Sequence, residues 1–321
     1  MKILITGGGG FLGFRLARTL LARGTLGGKS ISSVTLLDGA FPPGVENLQK
    51  VRAVTGDVSD EKTIASVCLP DTDAVFHLAA VVSGAAEADF DLGLRVNLRG
   101  IELLLAQMRK CIRPPRLVYT SSVAAFGGDL PAVLDDSTIA NPQTSYGAQK
   151  VIGEYLVTDY SRKGFIDGRS LRLPTIVVRA GKPNAAASSF ASGVIREPLN
   201  GAISDCPVAP ETGVWLLSPG KVVDAFIHAW ELPPEAWGSQ RWLNLPGITA
   251  TVAEMVEALR KVAGDAAAKR VVYKADARIQ AIVKTWPVNF RTPRALAMGF
   301  KPDRDVESVI RDYIADEKIK I

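Results

Sequence analysis

Two kinds of apolar pattern alternate along the first half of the chain. Short runs at Ile3 to Ile5, Val34 to Leu37, Val51 to Val54, Ala74 to Ala80 and Arg116 to Ser122 predict strands, and the unbroken Ile3 to Ile5 and near-continuous Ala74 to Ala80 are what strands buried on both faces require. Between them lie longer stretches with apolar residues three and four apart. Phe11, Leu12, Leu16, Leu20 and Leu21 mark one helix, and a Leu- and Ala-rich stretch from about Asp91 to Lys110, stopped by Pro114-Pro115, marks another. Ser145 opens a third. Strands alternating with helices predict an α/β fold built on a doubly wound parallel sheet, with ligands outside the carboxyl ends of the strands.

The second half is less regular. Ser170 to Arg179, Val214 to Leu217 and Arg241 to Leu245 predict strands, while Ala185 to Gly193, Thr251 to Val262 and Asp305 to Tyr313 predict helices. The expected division is a main domain over 1–182, with a returning segment about 212–246, and a smaller C-terminal substrate-binding lobe formed by 183–211 and 247–321.

The first predicted strand runs directly into Thr6-Gly7-Gly8-Gly9-Gly10-Phe11-Leu12-Gly13. A strand, a tight glycine turn and a helix suit a dinucleotide pyrophosphate, because glycines admit the phosphates close to the backbone and the helix N-terminus faces their charge. Gly7, Gly10 and Gly13 carry the spacing. Glycine-rich turns also occur for conformational reasons alone, so context matters. The second strand ends in Asp38, whose carboxylate suits ribose hydroxyls and repels a 2′-phosphate, and no Lys or Arg follows before Lys50. That favours NAD over NADP; the alternative is that Asp38 merely starts the turn before Gly39. Asp57, after the third strand, either meets the adenine amino group or caps the helix beginning near Glu61. Ala79 and Ala80 are small enough for a dinucleotide to lie against the fourth strand's end, and His77 reads as a core histidine.

Composition narrows the picture further. With 321 residues and 47% hydrophobic, the chain can bury one large core or two modest ones. The formal charge of +5, with no basic run interleaved with aromatics, predicts no nucleic-acid partner. No apolar run reaches the roughly 18 residues of a membrane span, and Lys2 leads straight into a strand rather than a signal peptide. The three separated cysteines, Cys68, Cys111 and Cys206, argue for a reducing, cytoplasmic setting. His77 and His228 have no Cys or carboxylate at ligand spacing, so no metal is expected.

Ser122 ends the fifth strand, and Tyr146 and Lys150, four apart, project from one face of the helix that follows. Such a pair is common by chance. Its place after a nucleotide-type sheet and a Ser-ended strand is not. With Asn97 and the His77-Leu78-Ala79-Ala80 segment added, the ordered set resembles the extended short-chain dehydrogenase/reductases over essentially the whole chain. Ala80-Val81-Val82-Ser83-Gly84, Arg172-Leu173-Pro174-Thr175 and the stretch from Gly181 to Gly193 resemble a sugar-acid dehydrogenase branch of that family. The resemblance implies NAD-dependent oxidation of the C2 hydroxyl of a four-carbon sugar acid. It implies cofactor contacts at Phe11, Leu12, Val58, Leu78, Asn97 and Pro174 besides the residues above, and a homodimer.

The chemistry needs a base for the hydroxyl proton. A phenol of pKa about 10 is a poor one, but an ammonium roughly 4 Å away contributes on the order of 4 kcal/mol at an effective dielectric near 20, up to about three pK units. Tyr146 is therefore expected as base, Lys150 as its electrostatic partner and ribose ligand, and Ser122, with Ser121 as the fallback, as donor to the substrate oxygen. For the substrate's carboxylate the candidates are Arg179 and Lys182, and for its hydroxyls Ser83, Thr175, Ser188 and Ser189. Two rivals remain: a nucleotide-sugar epimerase or dehydratase, against which stands the absence of an Arg in Gly213 to Gly220 to hold a diphosphate, and a non-catalytic NAD-binding sensor or scaffold.

Overall fold

The computed structural model describes residues 1–181 and 187–321, and these form two units. The first comprises Met1–Ala125, Thr144–Arg172 and Val223–Leu243; the second Phe126–Gln143, Leu173–Val222 and Asn244–Ile321.

A seven-stranded sheet organises the first unit. Its strands are β1 (Lys2–Thr6), β2 (Ser33–Asp38), β3 (Val51–Thr55), β4 (Ala74–His77), β5 (Arg116–Ser122), β6 (Asp167–Leu173) and β7 (Trp242–Asn244), in the spatial order β3-β2-β1-β4-β5-β6-β7. The ladders joining β3, β2, β1, β4 and β5 are all parallel, with Ile5 opposite Leu36 on one side and Phe76 on the other. The strand order reverses at β1, so the switch point of the doubly wound sheet lies between β1 and β4, where the glycine turn leaves β1. Leu4, Val75, Leu117, Ile101, Leu104 and Val157 meet in a core on one face. The uninterrupted apolar runs of β1 and β4 exist because both their faces are covered.

Three helices bear on the site. α1 (Phe11–Arg23) ends at Gly24, whose φ of 67° is left-handed. The predicted helix near Asp91 to Lys110 is α3, running over 90–108, with a π turn at Leu94–Arg99 between α-helical ends; α2 (Glu61–Val67) precedes it. α4 (Ser145–Arg162) is capped by the Thr144 side chain, which accepts from the Gly147 N–H. A further element lies between α1 and β2. Thr25–Leu26 and Lys29–Ser30 form a hairpin whose central residues, Gly27 and Gly28, have φ of 55° and 73°, the backbone a tight two-residue turn needs.

The expected domain boundary needs correction. The predicted strand Ser170 to Arg179 is broken at Pro174, and its second piece, Thr175–Ile176, pairs with Gly213–Leu217, which in turn pairs with Ile248–Thr251. These strands make a separate three-stranded sheet, so 173–181 and 212–222 group with the second unit and only Val223–Leu243 returns to the first. The core of the second unit gathers Val177, Phe190, Val194, Leu216, Met255, Leu259 and Ile310.

The connector 126–143, which joins the β5 end to the start of α4, also belongs to the second unit. Within that unit it is stitched to the C-terminal segment. Leu134 N–H donates to Asn289 C=O at 2.9 Å, Arg291 N–H to Leu134 C=O at 2.7 Å, and Arg294 N–H to the Asp136 carboxylate at 3.1 Å. No helix among the described residues is long and apolar enough to cross a membrane.

Candidate active site

The glycine turn is sterically committed. Gly7 has φ of 72°, and a Cβ there would lie 2.6 Å from Ala79 N; at Gly13 it would lie 2.0 Å from Gly7 O. Gly9, which the spacing argument passed over, is equally strict, since its Cβ would lie 2.0 Å from Ala40 O. Gly10 is the N-cap of α1 and supplies no side-chain cap, so the first N–H groups of the helix have no acceptor from their own N-cap residue. Asp38 reaches across from β2. One carboxylate oxygen accepts from Gly9 and Gly10 N–H at 3.0 and 3.1 Å, the other from Gly39 N–H at 2.7 Å. The residue both clasps the glycine turn and starts its own.

Asp57 follows β3 and accepts at one oxygen from both the N–H and the hydroxyl of Ser59. The capping role falls instead to Asp60, which accepts from Thr63 N–H at 2.7 Å. Val58 is buried against the same core. At the β4 end, Leu78 N–H donates to Thr6 C=O, and the following Ala79 and Ala80 present no bulk. Asn97 sits in the π turn of α3, a type of irregularity frequent at functional sites. Its side chain accepts from Val81 N–H at 2.8 Å and donates to Val81 C=O and to Gln149 Oε1, tying the β4 loop to α4. A backbone cradle that side chains would fill, uncapped helix N–H groups and an acidic second-strand end together fit a dinucleotide.

β5 and α4 carry the side chains expected to react. Ser121 and Ser122 face opposite ways, and their partners separate their roles. Ser121 Oγ donates to the buried Glu154 carboxylate, whereas Ser122 is half-buried and accepts a local bond from Ala124 N–H at 3.1 Å. The fallback, Ser121, is thus engaged elsewhere. Lys150 is 2% exposed, with its ammonium 5.5 Å from the centre of the Tyr146 ring and 5.0 Å from that of Tyr119. Burial pulls its pKa down to about 7, against the opposing pull of Glu154. α4 packs closely enough on β5 that a Cβ at Gly153 would lie 2.3 Å from the Tyr119 hydroxyl. His77 is a core histidine: it bonds Thr6 Oγ1 at 2.7 Å, stacks on Tyr119, and is pushed down to about 3 by burial and then by Lys150, hence neutral.

Sequence reasoning missed the polar residues beneath this set. Glu154 and Arg172 form a two-pronged ion pair at 2.8 and 2.6 Å, both side chains 2% exposed, and the Arg172 guanidinium lies 3.9 Å from the Trp242 ring centre. The signal was present: Glu154 is one further helical turn from Tyr146 and Lys150, on the same face.

Of the remaining expected residues, Ser83 begins the short helix Ser83–Ala88 in the first unit. Pro174, Thr175, Arg179, Ser188 and Ser189 lie in the second. There Arg179 Nη2 donates to Ser188 Oγ at 2.8 Å, and Ser188 precedes the helix Ser189–Leu199. Lys182 lies outside the described residues. The second unit also holds an open groove of about 880 Å³ lined by Trp215, Ile248, Phe290, Arg291 and Leu296 among others, and none of the expected site residues lines it.

The NAD dependent epimerase/dehydratase family model matches residues 3–231. The chain belongs to that family. Its members' name implies a nicotinamide cofactor for this chain, consistent with the cradle. Two relatives match the family member along its length: the D-erythronate dehydrogenase of Cupriavidus necator, 57% identical over 98% of both chains, and that of Haemophilus influenzae, 44% identical over 98% of this chain and 99% of the relative. Among solved structures, the nucleoside-diphosphate-sugar epimerase from Agrobacterium tumefaciens superposes with a TM-score of 0.92 at 41% identity, covering 99% of this chain and 94% of that one. The L-threonine dehydrogenase of Clostridium difficile, at 23% identity and a TM-score of 0.86 over 99% of both chains, shares the fold.

Proposed function

We propose that the protein oxidises the C2 hydroxyl of D-erythronate to 2-dehydro-D-erythronate with NAD as acceptor. The observation that carries the reading is the buried Lys150 ammonium beside the Tyr146 ring, one turn apart on α4, with Ser122 half-buried at the end of β5 and bonded locally to Ala124 N–H. The full-length likeness to two relatives named for this activity supports the choice of substrate.

Tyr146 is assigned as the base that takes the hydroxyl proton. The Lys150 ammonium, 5.5 Å from the ring centre, favours the phenolate over the phenol and so eases proton uptake by Tyr146 from the substrate. Ser122 Oγ donates to the substrate oxygen and holds it for proton loss. The cofactor, held by the Gly7 to Gly13 turn and α1 N-terminus, Asp38, Asp57, Val58, Leu78 to Ala80, Asn97 and Pro174, supplies the acceptor for the hydrogen and two electrons removed from C2. Asp38 is the reason to assign NAD rather than NADP, since its carboxylate repels a 2′-phosphate. Arg179 and Lys182 are assigned to the substrate carboxylate, and Ser83, Thr175, Ser188 and Ser189 to its hydroxyls. The working form is proposed to be a cytoplasmic homodimer, which sedimentation of the pure protein tests.

Purified protein mixed with NAD and, in turn, D-erythronate, threonate, L-threonine and a nucleotide-sugar separates the readings. NADH accumulation with D-erythronate supports the proposal. Epimerised nucleotide-sugar without NADH release would replace it with the epimerase reading, and NAD binding without any turnover with the sensor reading.

A further inference from the structure

Beneath the Tyr146–Lys150 pair lies a charged side chain that the mechanism above does not use. Glu154 stands one turn beyond Lys150 on α4, 2% exposed, with both carboxylate oxygens occupied: one accepts from Ser121 Oγ at 2.5 Å and from Arg172 Nε at 2.8 Å, the other from Arg172 Nη2 at 2.6 Å. Isolated ion pairs of this kind add little stability over apolar packing, so their placement invites another explanation. Here the carboxylate joins three elements, each bearing a residue that matters. It is on the helix of Tyr146 and Lys150, it bonds the serine adjacent to Ser122 on β5, and it is fixed by β6 through Arg172.

We propose that Glu154 is a positioning residue whose negative charge, moderated by Arg172, favours the protonated form of Lys150 against its burial so that Tyr146 can serve as the base, while its bond to Ser121 holds the strand end that presents Ser122. The inference rests on the assignment of Tyr146 and Lys150 given above.

The groups facing Lys150 can be enumerated by element. From its own helix come Tyr146 and Glu154, from β5 Tyr119, from β4 His77, and from β6, through Glu154, Arg172. Tyr119 is neutral, its phenol raised by burial, by Glu154 and by Tyr146, and buried His77 is neutral as well. Glu154 and Arg172 therefore supply the charges among these groups. The sign of their effects follows. Burial drives Lys150 toward its neutral form, and the Glu154 carboxylate opposes that drive. With Glu154 neutralised, the unbalanced Arg172 guanidinium would add to burial; with Arg172 neutralised, the carboxylate would act on Lys150 unmoderated.

The test is the pH profile of kcat/KM for NADH formation in the wild type, Glu154→Gln and Arg172→Gln, with NAD affinity measured alongside as the check on folding. The alkaline limb, where Lys150 loses its proton, should move to lower pH in Glu154→Gln by about one unit or more, and the neutral-pH rate should fall roughly tenfold or more, for charges one helical turn apart. In Arg172→Gln the limb should move the opposite way. Glu154→Asp, which keeps the charge on a shorter stem, should return the limb to its wild-type position even if the rate stays low. A purely structural pair predicts lower rates with the limb unmoved in every variant, and that result overturns the proposal. If Glu154→Gln does not fold, the direction of the Arg172→Gln shift decides alone. If the wild type forms no NADH with any of the acids, it is the reading of function that fails; the Lys150 side-chain resonance in isotope-labelled protein, assigned by its loss in Lys150→Met, then reads the same two shifts without turnover.

Discussion

Replacing Lys150 by Met should make the protein more stable and nearly inactive. The side chain is 2% exposed and its pKa falls to about 7 from the 10.5 of a solvated lysine, chiefly through burial. The sign follows from proton counting. Between pH 7 and 10.5 the unfolded chain holds the lysine proton and the folded one does not, so stability rises with pH across that window. Below about 7 both states are protonated and the full cost applies. A difference of 3.5 units, 10.5 less 7, at about 1.36 kcal/mol each is on the order of 5 kcal/mol. Met has a similar length and no charge, so Lys150→Met removes that cost at neutral pH and with it the pH dependence this group confers. The assay is urea unfolding of both proteins at a series of pH values from 6 to 11, the difference between the two curves isolating Lys150 from other titrating groups. The wild type should gain on the variant by several kcal/mol as pH rises, while at pH 7 the variant unfolds at higher urea. Equal pH dependence in the two, or a variant weaker at neutral pH, would refute the picture of an energetically costly cation retained for chemistry.

Other outcomes follow from the same geometry. Tyr146→Phe should abolish NADH formation while leaving NAD affinity within about twofold, measured by calorimetry, because the phenol oxygen is assigned to proton transfer rather than to holding the cofactor. Gly9→Ala or Gly13→Ala places a Cβ 2.0 Å from a backbone oxygen, and the forced movement of the turn should weaken NAD binding at least about tenfold and cost roughly 1–3 kcal/mol of stability. Asp38→Asn should raise the preference for NADP relative to NAD, read as the ratio of kcat/KM values for the two cofactors. Arg179→Ala should raise KM for the acid with NAD affinity unchanged; an unaltered KM would remove Arg179 from substrate binding.

Much of the sheet was legible because buried parallel strands write themselves as unbroken apolar runs, and β1 and β4 are of that kind. Glycine-turn chemistry was legible for a related reason, since a left-handed Gly7 and a Gly13 pressed on Gly7 tolerate no other residue. Other features left weaker marks. Gly9 escaped notice because its constraint comes from Ala40, a contact with no fixed spacing. The hairpin before β2 is only two short strands, too brief for alternation to register, though Gly27-Gly28 announced its turn. The domain boundary was misplaced because Thr175–Ile176 and Val214 to Leu217 have the same composition as sheet strands and reveal their separate pairing only in space. α4 was read from Tyr146 and Lys150 alone; its buried face also carries Gln149 and Glu154, and polar residues facing inward blunt the apolar period by which a helix is usually oriented.

The stitching of Leu134 to Asn289 and Arg291 bears on how the chain tolerates shortening. A loop joining the serine and the tyrosine proposed to react would ordinarily be left to solvent, yet here its midpoint is fastened by backbone bonds to residues more than a hundred positions later. A version of the chain ending before residue 289 would keep every group assigned to proton transfer and lose the anchor of the segment strung between them. Catalytic competence should then track an intact far end of the polypeptide, a dependence invisible to anyone counting only the residues that touch the reactants.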